Sequence, residues 1–401
     1  MPSKWYSQAL KKLLKSKAEK FFAESGERQA RKNEPNRPLT DPSCYRPLLQ
    51  PISKERCDDQ LVPPVPDLWR GYRMTAAGHA RRVAVVGAAG WAGSRHARAF
   101  ATAGAKVTVL VEKDERGAAL AQELGAQLMP TTAELHPEHL DLVVVALPTT
   151  VQPGICADLL NRGFRVLTEK PVAADAEGAA VLAAASGVNE RLMVGYTLHQ
   201  HPAAAQVTQW IRDKNVIAVS VRSVAHKQNV NSWRADPKEG GVAVVNGIHA
   251  IELVSSWFDG DPKVLATSAS SRLYGSPVPE HVTSTLEFPE GVVFTLQSYW
   301  SPWQEPQGLN QGDWSLTIDV LASEGRMLWT NDSLHRWERD GGHYEKTFEP
   351  SDLFLRQAET AVKFCAGGTP PVTFAQALRA TEIADAVLAA ATSSAETTVA
   401  P

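Results

Sequence analysis

A glycine-spaced turn between an apolar run and a helical one restricts the fold of this chain more than any other feature. Val83-Ala84-Val85-Val86 is a short β-branched run, the pattern of a strand covered on both faces. Gly87-Ala88-Ala89-Gly90-Trp91-Ala92-Gly93 follows it, and apolar residues at helical spacing continue from Trp91 to Ala103. Glycine lets the backbone turn tightly and approach a pyrophosphate. The start of the following helix offers free N–H groups and a positive dipole end. The spacing is G-x-x-G-x-x-G, one residue longer than the dinucleotide fingerprint, and tight strand–helix turns use glycine for their own sake. Gly87, Gly90, Trp91 and Gly93 are therefore candidate cofactor residues whose weight depends on what surrounds them.

The surroundings support them. Strand-like runs at 106–111, 141–146, 165–168 and 192–195 alternate with helical stretches at 115–124, 153–161 and 174–185. Alternation at this spacing predicts βαβ units and a doubly wound parallel sheet. Glu112 ends the second strand about 20 residues past the last glycine, where an acid grips the adenosine ribose hydroxyls. Its alternative is a solvated strand-end charge. An acid there disfavours a 2′-phosphate, so NAD(H) is expected in preference, while Lys113 keeps NADP(H) open.

The pattern changes after Pro202. A helix at 203–211 and a strand at 216–225 lead to a helix at 241–257. Strand-like runs follow at 263–270, 283–288, 292–298, 315–321 and 325–329, and helices at 352–367 and 374–392 close the chain. Consecutive strands without helices between them predict a mostly antiparallel sheet. The fold class is α/β, with an amino-terminal doubly wound domain at 75–195 and a carboxyl-terminal α+β domain with an open sheet at 196–395. A frayed tail at 396–401 follows.

Residues 1–74 differ. A basic segment has apolar residues at helical spacing from Trp5 to Phe22, and a proline-rich stretch runs from about Asn33 to Pro66. This predicts an amphipathic helix and an extended arm. Glu19, Glu24 and Glu27 interrupt the basic character and argue against membrane docking.

Composition excludes several classes. A formal charge of −3 over 401 residues predicts no general attraction to nucleic acid or to an anionic membrane. No apolar run is long enough for a membrane helix, and no signal-peptide core is visible. Cys44, Cys57, Cys156 and Cys365 form no CxxC pair and no zinc-spaced cluster with histidine. Reduced thiols, a cytoplasmic location and no metal site are expected, although Cys44 and Cys57 share one irregular segment and could pair.

Glu169-Lys170-Pro171 follows the strand at 165–168, where residues face the ligand crevice of a parallel sheet. A lysine beside a nicotinamide can exchange the proton that accompanies hydride transfer. On composition alone, a Glu-Lys pair there is more often a solvated turn. The order of motifs changes that balance. Ala146-Leu147-Pro148, Glu169-Lys170-Pro171 and the run Gly195-Tyr196-Thr197-Leu198-His199-Gln200-His201-Pro202 come first. Gly240-Gly241 then leads to Gly247-Ile248-His249-Ala250-Ile251-Glu252, and Ser323-Glu324-Gly325 opens a late strand. In this order and at these separations the chain resembles the glucose–fructose oxidoreductase / inositol dehydrogenase / MocA family over roughly residues 80–395.

That resemblance implies a Rossmann domain, with Pro148, Glu169 and Lys170 beside the cofactor. It implies Lys170 and His249 as the catalytic pair, His249 exchanging a proton with the substrate hydroxyl or carbonyl. Tyr196, Asn246 and His249 become candidate substrate contacts; His199 could line the pocket or be a surface histidine, and Trp233-Arg234, just before Gly240, offers an aromatic face on which a sugar ring could stack. The substrate implied is carbohydrate-like. The glucose–fructose oxidoreductase branch carries a proline-rich arm that wraps a neighbouring subunit, which implies that the arm here packs on another subunit of a homo-oligomer, dimer or tetramer; the alternative is a docking element for a separate protein.

Two departures from the family pattern bear on the reaction, and the first weakens the case for an ordinary polyol dehydrogenase. Many dehydrogenases of the family have an aspartate where this chain has Val245, and His199 stands where arginine is usual. Tyr299, Trp300, Trp303 and Trp314 could stack on a sugar ring or fill a core. The leading expectation is a hydride-transfer enzyme for a sugar-like hydroxyl or ketone. The alternatives are a reductase of a non-sugar imine or keto intermediate, and a cofactor-binding sensor or scaffold without turnover.

Overall fold

The computed structural model describes residues 80–228, 230, 233–304, 308–349 and 352–394. The expected amphipathic helix, the proline-rich arm and the tail at 396–401 lie outside the described residues.

The first sheet has six parallel strands in the order β3-β2-β1-β4-β5-β6. They are β1 (Arg82–Val86), β2 (Lys106–Val111), β3 (Gln127–Met129), β4 (Leu142–Val145), β5 (Val166–Thr168) and β6 (Leu192–Val194). Helices α1 (Trp91–Thr102), α2 (Arg116–Leu124), α3 (Gln152–Asn161) and α4 (Ala176–Ala183) connect them. Both faces are covered, which explains the unbroken apolar runs. Val83 and Val85 pack with Phe100 on one side, and Ala84 and Val86 join the larger core on the other. The strand order reverses between β1 and β4, so a ligand crevice opens at their carboxyl ends.

After α5 (Pro202–Ile211), an eight-stranded sheet follows in the order β14-β13-β12-β11-β7-β10-β9-β8. Its strands are β7 (Val216–His226), β8 (Lys263–Ser270), β9 (His281–Glu287), β10 (Val293–Ser301), β11 (Trp314–Ala322), β12 (Gly325–Trp329), β13 (Ser333–Glu338) and β14 (His343–Thr347). All neighbours are antiparallel except β7 and β10, which run parallel in the middle. One face is buried through Phe294, Leu296 and Ile318, and the other exposes Ile217, Leu265 and Leu321.

The helix expected at 241–257 is divided. A π-helical segment, Ala243–Gly247, precedes α6 (Ile248–Ser255). The sequence reading also lacked β3, β13 and β14. Every residue of β14 is exposed, and β13 has only Leu334 buried, so no apolar alternation marks this edge hairpin. Helix α7 (Leu353–Cys365) contributes Phe354, Ala358, Ala361 and Phe364 to the same cluster as Phe100. It therefore packs on the first domain although it follows the second in sequence. Helix α8 (Phe374–Ser394) closes the described chain.

Candidate active site

The carboxyl ends of β1, β2, β4 and β5 form one wall of a cleft of about 370 Å³. Gly87 turns the chain with φ +79, and a Cβ there would stand 2.4 Å from the Ala146 carbonyl oxygen. A Cβ on Gly93 would stand 2.1 Å from the Gly87 oxygen, so Gly93 lets α1 pack against the turn. Helix α1 starts without a side-chain cap and without an acidic residue in its first turn. Gly90, Trp91 and Ala92 at that start line the cleft. An uncapped helix end over a glycine turn fits a pyrophosphate. Glu112 completes the cradle: its carboxylate accepts from Ala89 N at 2.9 Å and from Lys113 N at 2.7 Å. The donor set and the close glycine approach fit a dinucleotide cofactor.

Beyond β5 the chain places Glu169 and Lys170, with a cis bond between Lys170 and Pro171. Gln152 on α3 donates to the carbonyl oxygens of Glu169 at 2.6 Å and Pro171 at 2.9 Å, fixing this turn. Glu169 pairs with the buried His96 of α1 at 2.7 Å. Burial alone would raise the Glu169 pKa, but the His96 hydrogen bond, His96 charge and Lys170 together hold it below the ordinary value. Lys170 donates to the main-chain oxygen of Val245 in the π-helical segment. Burial, opposed by Glu169 and assisted by Arg234, lowers the Lys170 pKa to about 8.

The opposite wall carries Val245, Asn246, His249 and Trp314. The Trp314 ring lies 5.0 Å from the His249 ring, and Tyr196 meets His249 edge-on at 5.8 Å. Asn246 accepts at Oδ1 from Trp300 Nε1 at 2.8 Å. Burial, then Lys170 and His199, holds the His249 pKa well below its ordinary value, so the ring is neutral near pH 7. Tyr196 is shifted the other way, by burial and by the Glu252 and Glu169 charges.

Gly87, Gly90, Trp91, Glu112, Pro148, Glu169, Lys170, Trp233, Arg234, Asn246 and His249 thus share one cleft. Gly93, Tyr196 and His199 do not line it. Gly93 sits behind the turn, and Tyr196 is buried behind His249. His199 pairs with the buried Glu252 at 2.5 Å. The four aromatic residues separate as well: Trp314 lines the cleft, Trp300 lies beneath Asn246, Tyr299 meets Arg222, and Trp303 is 73% exposed. Lys227, Asp313 and Arg116 line the cleft without any sequence motif to announce them. Lys227 could have been suspected only from its place just past the end of β7.

Two family models match the chain. Residues 81–196 match the model of the oxidoreductase family with an NAD-binding Rossmann fold. Residues 214–327 match the GFO/IDH/MocA C-terminal domain. The chain belongs to the Gfo/Idh/MocA oxidoreductase family. A curated relative, D-xylose 1-dehydrogenase (NADP(+)) 2 of Haloferax volcanii, is 25% identical over 284 residues, covering 66% of this chain and 83% of the relative. The oxidoreductase domain protein of Kribbella flavida aligns at 19% identity and a TM-score of 0.67, over 79% of this chain and 98% of its own. Levoglucosan dehydrogenase in complex with NADH and levoglucosan aligns at 16% identity and a TM-score of 0.66, with the same coverage. At these identities the two solved structures establish the shared fold. As a member of this family the chain is an NAD(P)-dependent oxidoreductase with its cofactor domain at the amino-terminal sheet.

Proposed function

We propose that this Gfo/Idh/MocA enzyme is a dehydrogenase for a hydroxyl or carbonyl carbon of a sugar-like substrate. The observation that carries the reading is the meeting of Lys170 and His249 in the cleft that holds the glycine turn and Glu112. The xylose and levoglucosan dehydrogenases among its relatives add weight to the carbohydrate class. Bound NAD(P) supplies the hydride or accepts it at the nicotinamide.

In this reading the protein's residues manage the proton and the geometry. Lys170, with its lowered pKa, takes the hydroxyl proton during oxidation or returns it during reduction. His249 stays neutral and hydrogen-bonds the reacting oxygen. Trp314 walls the sugar face, and Trp233, Arg234 and Asn246 contact the remaining hydroxyls. Tyr196 and His199 support His249 from behind. Glu112 favours NAD(H), and Arg116 in the same lining leaves room for NADP(H).

A homo-oligomer assembled through the exposed face of the eight-stranded sheet and a cytoplasmic location complete the reading. Among the described residues no helix is long and apolar enough to cross a membrane. Quenching of intrinsic fluorescence by NADH, followed by turnover on a panel of neutral and acidic sugars and keto acids, tests the function. Cofactor binding without turnover of any sugar would overturn it. Light scattering of the purified protein tests the assembly.

A further inference from the structure

The cleft continues past the catalytic pair. A second hollow of about 410 Å³ shares Trp91, Lys227, Arg234 and Asp313 with it and adds His226, Gln228 and Gln304. Three cations surround the Trp91 ring at this junction. The Arg95 guanidinium lies 4.3 Å from the ring centroid, the Lys227 ammonium 5.5 Å and the Arg234 guanidinium 5.8 Å. Arg234 also covers Trp233 at 4.5 Å.

These cations are committed unequally. Arg95 is paired with Asp313. Lys170, close enough to influence Lys227, donates to Val245. The Lys227 ammonium has no hydrogen bond or ion pair with any described residue and lies over the face of Trp91. Its backbone, in contrast, is fixed: Lys227 N donates to the Ser301 oxygen, and its carbonyl accepts from the Tyr274 hydroxyl. Nearby, His226 Nδ1 is buried with no hydrogen-bond partner among the described residues. A positive charge held on a fixed backbone and partly withdrawn from water, whose nearest acid Asp313 is already paired with Arg95, is costly unless a ligand supplies a further counter-charge. Burial and then Arg234 are the largest influences lowering the Lys227 pKa, to about 8, with Lys170 and Arg95 acting in the same direction. Asp313 opposes them, but it is shared with Arg95.

We propose that Lys227 and Arg234 form an anion subsite at the outer end of the substrate cleft, so that the preferred sugar carries a carboxylate or a phosphate. The proposal rests on the sugar-dehydrogenase reading and narrows its substrate class. The anionic group would lie between the Lys227 ammonium and the Arg234 guanidinium over Trp91, while the sugar carbon to be oxidised reaches Lys170 and His249. The cofactor pyrophosphate is the competing occupant, since Trp91 also opens α1.

Isothermal titration of the NADH-loaded full chain with glucose, glucuronate, glucose 6-phosphate and inorganic phosphate tests this. The expected result is that at least one sugar anion binds about tenfold or more tightly than glucose, the scale of one charge-assisted hydrogen bond. The stronger of glucuronate and glucose 6-phosphate identifies carboxylate or phosphate as the natural group. In Lys227→Met the ratio of anion to glucose affinity should fall about tenfold, and in Lys227→Arg it should persist, which separates charge from packing. Anions binding no better than glucose, or an anion preference that survives Lys227→Met, overturns the subsite. A loss of NADH affinity that matches the loss of anion affinity in Lys227→Met also overturns it, because the charge would then serve the pyrophosphate. Turnover is scored separately. Tight anion binding without oxidation of any sugar supports the subsite and removes the dehydrogenase reading, whereas efficient oxidation of neutral sugars alone does the reverse.

Discussion

The ammonium of Lys170 hydrogen-bonds the main-chain oxygen of Val245, which ties the turn after β5 to the π-helical segment before α6. The family's usual aspartate at this position would offer a carboxylate. Val245 offers only its main-chain oxygen to the ammonium. With burial as the main cause, the Lys170 pKa falls to about 8. Under the proposed function the neutral amine is the active form for alcohol oxidation. The kcat/KM profile should therefore rise with pH through about 8, and carbonyl reduction should fall through the same region. Lys170→Ala should lower kcat by at least ~100-fold while circular dichroism stays unchanged. Val245→Asp should move the oxidation profile to higher pH. Near-normal turnover of Lys170→Ala would remove this side chain from the chemistry.

Under the proposed function Glu112, which lines the same cleft, sets cofactor choice. Its carboxylate accepts from Ala89 N and Lys113 N, at the place where ribose hydroxyls would compete for it. Glu112→Ala should weaken NAD binding about tenfold, worth about 1.4 kcal/mol. NADP should lose less, since Arg116 in the lining can meet a 2′-phosphate. Fluorescence titration with both cofactors measures the ratio. Equal losses would remove Glu112 from ribose recognition.

Much of this site is readable from residue order because a parallel sheet delivers strand ends to one crevice. Gly87, Glu112, Pro148 and Lys170 each follow an apolar run that reads as a buried strand, so their convergence follows from topology. His199 is different. It sits in a family motif, yet its ring turns away to pair with Glu252, a buried carboxylate that needs a partner. Lys227 is the reverse case. The sequence around it carries no motif, and its place in the cleft depends on β7 lying between β10 and β11, a long-range pairing that no local pattern encodes. The β13–β14 hairpin escaped for a simpler reason: an edge exposed on both faces needs no apolar alternation.

His249 should act as a neutral hydrogen-bonding group. Burial, Lys170 and His199 hold its pKa well below the ordinary 6.5. The kcat/KM profile should then show no inflection near 6.5 from this residue. His249→Asn, which keeps a hydrogen-bonding side chain, should cost less activity than Lys170→Ala and leave the inflection near 8 in place. An inflection near 6.5 that disappears in His249→Asn would show that the ring titrates in the working range.

The glycine turn allows a test of fold and cofactor site together. A Cβ on Gly93 would stand 2.1 Å from the Gly87 oxygen, 2.8 Å from its carbonyl carbon and 3.0 Å from Ala88 Cα. All three are backbone atoms of the turn itself, so relief requires moving α1 away from β1. Overpacking of this kind costs about 1–3 kcal/mol. Gly93→Ala should lower Tm by several degrees and weaken NADH binding in parallel, because the same movement displaces Gly90 and the uncapped helix start. Gly154 in α3 is the control, since a Cβ there meets nothing within 4 Å. Gly154→Ala should be neutral or raise stability by up to ~1 kcal/mol, as helix interiors prefer alanine. Calorimetry of both variants with and without NADH decides the matter. If Gly93→Ala melts with the native protein and binds NADH as well, the close approach of α1 to the turn is not what holds the cofactor cradle in shape.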